Sequence, residues 1–104
     1  MRVALASIDG TYVDQHFGSA RYWQIYDVGD GLRAHVETRR TQAKCGGNCE
    51  GGFGHILAAL DDCQVLFVSK IGQGAAAFML DHGKRVFEAA GEVAELLEEW
   101  EQWR

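Results

Sequence analysis

No run of apolar residues in this sequence approaches the ~20 needed to cross a bilayer. The opening Met1-Arg2-Val3-Ala4-Leu5-Ala6-Ser7-Ile8-Asp9 turns polar too soon for a signal peptide. A cytoplasmic protein with no membrane partner is therefore expected. Basic residues are also in short supply: ten Lys and Arg stand against fifteen Asp and Glu, for a formal charge of -5 and a pI near 5.2. Sequence-independent binding to nucleic acid relies on Lys and Arg to displace the counterions condensed on phosphates, so nucleic acid is excluded as a partner. Cysteine is sparse and odd in number. Cys45, Cys49 and Cys63 sit in a chain with enough apolar mass for a core, which argues against a disulfide framework and for reduced thiols.

What is present is an ordinary globular composition, 47% hydrophobic and 24% charged, far from the signature of disorder. A chain of 104 residues has room for one hydrophobic core and not for two, so residues 1–104 are expected to form a single domain.

Arg2 to Ile8 is a short apolar run closed by Asp9-Gly10, which predicts a buried first strand ending in a turn. Arg21 to Val28 and Leu32 to Arg39 flank Gly29-Asp30-Gly31, a tight connection between β-rich runs that predicts an antiparallel hairpin. From Thr41 to Gly54 there is no hydrophobic period and five of the thirteen glycines, so a mobile or ligand-ordered loop is expected. His55 to Leu60 reads as a short helix, and Gln64 to Ser69 as a strand buried on both faces. Gly74 to His82 reads as a second helix with Gly83 at its C′ position. Arg85 to Phe87 gives a short edge strand. Glu92 to Trp103 is an amphipathic last helix with Val93, Leu96, Leu97, Trp100 and Trp103 on one face.

This order predicts an α/β fold of three layers around a five-stranded mixed sheet, with the first, fourth and fifth strands parallel through right-handed crossovers. In such sheets ligands sit beyond the carboxyl ends of the strands, where connections diverge. Here that point falls between the first and fourth strands, and three constellations converge on it.

The first is Val13-Asp14-Gln15-His16-Phe17-Gly18. A neutral imidazole suits iron, copper or zinc, with Asp14 or a backbone carbonyl fixing its tautomer, although alone the motif does not separate a ligand from a surface histidine. The second is Cys45-Gly46-Gly47-Asn48-Cys49, followed by His55. Two thiolates three residues apart, with glycines between, can wrap one soft metal or two metals of a cluster, and His55 could add a ligand. The spacing is not the C-x2-C of zinc ribbons or thioredoxin-like sites. The third is Ser69-Lys70-Ile71-Gly72-Gln73-Gly74-Ala75, where unpaired N–H groups at a helix start and a lysine suit an anion. It matches neither a Walker loop nor a dinucleotide fingerprint, and its spacing equally fits a tight strand-to-helix turn. Cys63 reads as a small buried hydrophobe, His35 and His82 as solvent-facing, and Trp100 and Trp103 as docking residues of the last helix.

At these residues the sequence resembles the dinitrogenase iron-molybdenum cofactor biosynthesis family, which comprises cofactor carriers and accessory proteins and includes the orange protein. The resemblance rests on His16-Phe17-Gly18 followed by Tyr22 to Asp27, on the Cys- and Gly-rich loop, and on Val65 to Ala75, and it spans nearly the whole chain. It implies a ribonuclease H-like fold. It also implies a ligand role for His16 and for the Cys45 to His55 segment.

The expectation is therefore a carrier or scaffold, not an enzyme, for an anionic metal-sulfur cluster of the iron-molybdenum or iron-sulfur type. His16, Cys45, Cys49 and His55 are the expected metal ligands, and Lys70, Gly72 and Gly74 offset the charge on the sulfides. Cofactor-assembly or acceptor proteins are the expected partners, with the chain a monomer or weak dimer. The rivals are a thiol-redox enzyme using Cys45 and Cys49, a ribonuclease H-like nuclease using Asp9 and Asp14 with Asp27, and an interaction module without ligand.

Overall fold

The computed structural model describes residues 1–17, 20–29, 32–41 and 54–103, apart from the side chains of residues 32, 54, 55 and 101–103. The chain runs β1 (Arg2–Ala6), β2 (Tyr12–Val13), β3 (Tyr22–Gly29), β4 (Leu32–Arg40), α1 (Gly54–Ala59), β5 (Val65–Val68), α2 (Gln73–Asp81), β6 (Arg85–Glu88), β7 (Gly91–Glu92) and α3 (Val93–Trp103).

β1 lies at the centre of a five-stranded sheet of order β4-β3-β1-β5-β6. It pairs parallel with β5, which pairs parallel with β6, while β3 runs antiparallel to both β1 and β4. This is the expected mixed sheet. Val3, Ala4, Leu5 and Ala6 are fully buried because successive side chains enter opposite layers. Ala4 and Ala6 join Trp23, Ile25, Leu66 and Val68 in a cluster with Ile56 and Leu60 from the α1 side and Ala75 and Met79 of α2. Val3 and Leu5 join Val65 and Phe67 beneath Val93, Leu96, Leu97 and Trp100 of α3. Trp100 docks this helix as expected, with its ring 6.3 Å from Phe67 and 5.5 Å from Phe87.

Two local details differ from the sequence reading. β1 stops at Ala6, short of the expected Ile8, because Ser7 and Asp9 take over the backbone: Gly10 N–H donates to Ser7 Oγ at 2.9 Å and Thr11 N–H to Asp9 Oδ1 at 2.9 Å. Ile8 is left exposed. The two-residue ribbon of β2 with β7 has no apolar run to announce it, since it exists through Thr11 to Val93 contacts formed only in the fold.

Gly83 lies just beyond α2 with φ +79, a left-handed conformation that suits glycine. It turns the chain into Lys84, whose buried ammonium donates to the carbonyls of Asp61 at 2.6 Å and Cys63 at 2.7 Å. Cys63 is fully buried, and burial pushes its thiol up to about 12.

Candidate functional site

Beyond Ala6 the chain doubles back over the end of its own strand. Asp14 and Gln15 N–H both donate to the Ala6 carbonyl, at 3.2 and 3.4 Å. The segment then takes the place of β1 beside the continuation of β5: Ser69 N–H donates to Gln15 O at 3.0 Å, Phe17 N–H to Lys70 O at 2.8 Å, and His16 and Lys70 form a parallel bridge. Gln15 is anchored by Nε2 donating to Tyr22 O at 2.6 Å and by Oε1 accepting from Arg21 N–H at 3.0 Å. Phe17 is buried, edge-on to Trp23 at 6.3 Å. His16 is thus an exposed side chain on a backbone fixed from both sides, next to an exposed Lys70.

The chain after Lys70 enters α2 with Gly72 as N-cap in an extended conformation, and no side chain caps the helix. A Cβ at Gly72 or Gly74 would meet nothing within 4 Å, so glycine is not imposed there by packing and the backbone stays open to solvent. Ile71 N–H donates to Glu88 Oε2 at 3.3 Å. Ser69 Oγ is buried and without a hydrogen-bond partner among the described residues. The uncapped helix start, with its partial positive charge, and the Lys70 ammonium form a surface fit for an anion.

His16, Lys70, Gly72 and Gly74 are thereby brought to one end of the sheet. Cys45 and Cys49, with most of the Gly-rich loop, lie outside the described residues, as does the side chain of His55, the second residue of α1. The carboxylates considered for a nuclease are dispersed. Asp27 pairs with Arg2 at 2.9 Å at the start of β1, the far end of the strand, and Asp9 lines a cleft with Gln24 and His35. Among the described residues no three His, Cys, Asp or Glu side chains gather closely enough to hold a metal ion, and no helix is long and apolar enough to cross a membrane.

The sequence reading quoted Gln15 and Ser69 within their motifs without giving either a role, and did not name Glu88. The signal for Gln15 was its place in the alternation Val13, Gln15, Phe17, where a polar residue stands at an inward position and so must be hydrogen-bonded. Ser69 and Glu88 each follow or close an apolar strand and carry no pattern of their own.

The geometry is that of a mixed α/β protein with His16, Lys70 and the start of α2 gathered at the carboxyl ends of β1 and β5. The family profile for "Dinitrogenase iron-molybdenum cofactor" matches residues 1–102, and the chain belongs to that family. It is 35% identical over 77 residues to the FeMo cofactor biosynthesis protein NifB of Frankia alni, which covers 69% of this chain and 15% of that protein. Protein NifX of Rhodobacter capsulatus is 33% identical over 88 residues, covering 80% of this chain and 55% of that protein. The chain thus spans about a seventh to a fifth of the NifB relatives and about half of NifX. Among solved structures, the crystal structure of PH0822 superposes with TM-score 0.77 at 21% identity, covering all of this chain and 92% of that one. The NMR structure of the Thermotoga protein TM1290 superposes with TM-score 0.66 at 24% identity, covering 97% and 87%.

Proposed function

We propose that this protein is a non-catalytic carrier in nitrogenase cofactor assembly, holding an anionic metal-sulfur cluster as cargo at the mouth formed by His16 and Lys70. Family membership supports a role in cofactor assembly. The observation that carries the finer reading is the His16–Lys70 bridge, which sets an imidazole able to ligate metal beside an ammonium able to meet sulfide charge, next to the uncapped start of α2.

In this reading His16 is a metal ligand, with Cys45, Cys49 and His55 as the further soft donors. Lys70 and the backbone around Gly72 and Gly74 receive the anionic face of the cluster. The unpartnered Ser69 Oγ adds a hydroxyl that an anionic guest could satisfy. The strand order, with β3 antiparallel to a parallel β1, β5 and β6, supports a ribonuclease H-like arrangement, and residues 1–104 are read as one such domain. The partners are cofactor-assembly proteins that deliver or accept the cluster in the cytoplasm, the chain acting as a monomer or weak dimer.

The test is anaerobic titration with a synthetic thiolate-ligated iron-sulfur cluster, followed by elemental analysis and visible absorption. His16→Ala should lower cluster retention with an unchanged far-UV spectrum, and Lys70→Gln should weaken binding less while flattening its salt dependence. Full metal content and an unchanged visible spectrum in His16→Ala would remove His16 from the site.

A further inference from the structure

On the α3 face of the sheet the helix packs over β1 and β5, with Val28 of β3 in the same cluster and Tyr26 and Phe87 against it. A cleft of about 390 Å³ is lined by Ile8, Asp9, Gly10, Gln24, Tyr26, His35 and Thr38. It lies apart from the His16–Lys70 mouth, and none of the mouth residues lines it.

The hydrogen bonds of this cleft fix its polarity. Gln24 is buried, and its Nε2 donates to the Ser7 carbonyl at 3.1 Å, so its Oε1 is the atom that faces the other way. That oxygen meets His35 Nε2 at 2.8 Å and accepts from Thr38 Oγ1 at 2.8 Å. His35 Nε2 therefore carries a hydrogen, and in the neutral ring Nδ1 is left as an acceptor. Thr38 spends its hydroxyl hydrogen on Gln24 and keeps only lone pairs. Asp9 is held ionised by hydrogen bonds, chiefly from the Thr11 N–H, its carboxyl lying below the usual range. The Tyr26 ring, edge to His35 at 5.2 Å, contributes an aromatic wall. Arg33, which lines the neighbouring cleft, donates Nη1 to the Ala94 carbonyl of α3.

An anionic carboxylate, the Nδ1 of a neutral imidazole, hydroxyl lone pairs and an aromatic ring, with Gln24 Oε1 taken up behind them by His35 and Thr38, make a cleft in which acceptors outnumber donors. We infer that it binds a donor-rich organic cation, a guanidinium or primary ammonium group, through Asp9, His35 and Thr38 with Tyr26 as its aromatic wall. A planar guanidinium offers five N–H donors and stacks on aromatic rings, matching this set better than a metal ion, for which Asp9 and His35 supply only two ligating side chains. The cation can be a free amine or the side chain of a partner protein; the recognition chemistry is the same.

The test uses two-dimensional amide NMR of the whole chain with agmatine, with the blocked peptide acetyl-Gly-Arg-Gly-amide, and with butylurea as a control that keeps the planar N–H donors but carries no charge. Saturable shifts centred on Asp9, Gln24, Tyr26, His35 and Thr38 are expected with agmatine, weakened at least tenfold in Asp9→Asn and unchanged in His16→Ala. Matching shifts with the peptide assign the cleft to a basic side chain of a partner, and shifts with agmatine alone assign it to a free amine. Absence of saturable shifts with either cation, or equal binding of butylurea, overturns the inference without bearing on cluster binding at His16.

Discussion

Arg39 holds Asp62 from across the sheet: Nη2 of the β4 arginine lies 2.8 Å from Oδ2 of a residue just ahead of β5, while Arg2 Nη1 approaches the same carboxylate at 2.7 Å. One carboxylate thereby ties the edge strand, the central strand and the approach to β5 together. The Arg39 guanidinium first, and Arg2 with it, hold the Asp62 carboxyl far below the usual carboxylate range. A depressed folded value means that the stabilisation is full above the unfolded value of 3.8 and is lost as pH falls below it. Asp62→Asn is expected to cost about 1 kcal/mol at neutral pH, the partial exposure of the pair keeping the figure small. The difference between the two proteins in urea melts should begin to shrink below about pH 4 and vanish only as pH falls through the much lower value at which the folded carboxylate takes up its proton. A constant difference down to the lowest pH would show that the charge is not what matters.

The buried Lys84 ammonium is held by two backbone carbonyls, those of Asp61 and Cys63. Lys84→Met keeps the aliphatic bulk but leaves the Asp61 and Cys63 carbonyls short of a donor, so a loss of about 2 kcal/mol is expected in chemical denaturation. A stability equal to wild type would mean that water replaces the ammonium at both carbonyls.

A side chain at position 83 would be strained only through its backbone, since nothing stands within 4 Å of a Cβ built on Gly83. Gly83→Ala should therefore cost about 1 kcal/mol, and Gly83→Asn less, because asparagine tolerates the left-handed region better. The two melting temperatures, ranked against wild type, check this order.

Cys63 should be inert in the folded protein. Its thiol is fully buried and its ionisation pushed up to about 12, whereas thiolate is the reacting species. Iodoacetamide at pH 8, read by peptide mass mapping, should leave Cys63 unlabelled until denaturant is added. Labelling of Cys63 at the rate of an exposed thiol would contradict its place in the core.

Cys45 and Cys49 distinguish a cluster carrier from a thiol-redox enzyme. As ligands they must be deprotonated, so cluster uptake should release protons and weaken as pH falls. The Cys45→Ser, Cys49→Ser double variant should lose most of its affinity for the synthetic cluster even in excess reductant, since serine oxygen suits soft metals poorly. Equal affinity in the two proteins would leave only His16 and the turn from Gly72 to Ala75 as the candidate site.

Most of the architecture was readable because burial imposes periodicity. The unbroken apolar runs around Leu5 and Phe67 mark strands covered on both sides, and Val93, Leu96, Leu97 and Trp100 mark the face of α3. The β2–β7 ribbon escaped because a two-residue pairing has no period. The mouth was legible in part: His16 and Lys70 stood out by type, but their adjacency depends on Asp14 and Gln15 turning over the end of β1, which no local pattern encodes. His35 was read as solvent-facing. It is exposed, yet its bond to Gln24 comes from register across the β3–β4 hairpin and from the irregularity between Ile25 and Tyr26.

The exchange of neighbours at the end of β5, from β1 to the stretch carrying His16, also sets an order of assembly. That stretch docks on Ser69 and Lys70, so a loop spanning about half the chain must close before the bridge can form. Contacts of such long sequence separation form late in folding. A chain still emerging from the ribosome has β1 and the β3–β4 hairpin before it has the mouth. In the proposed carrier reading, the capacity to take up cargo at His16 thus becomes a mark of a finished fold, withheld from partly folded chains.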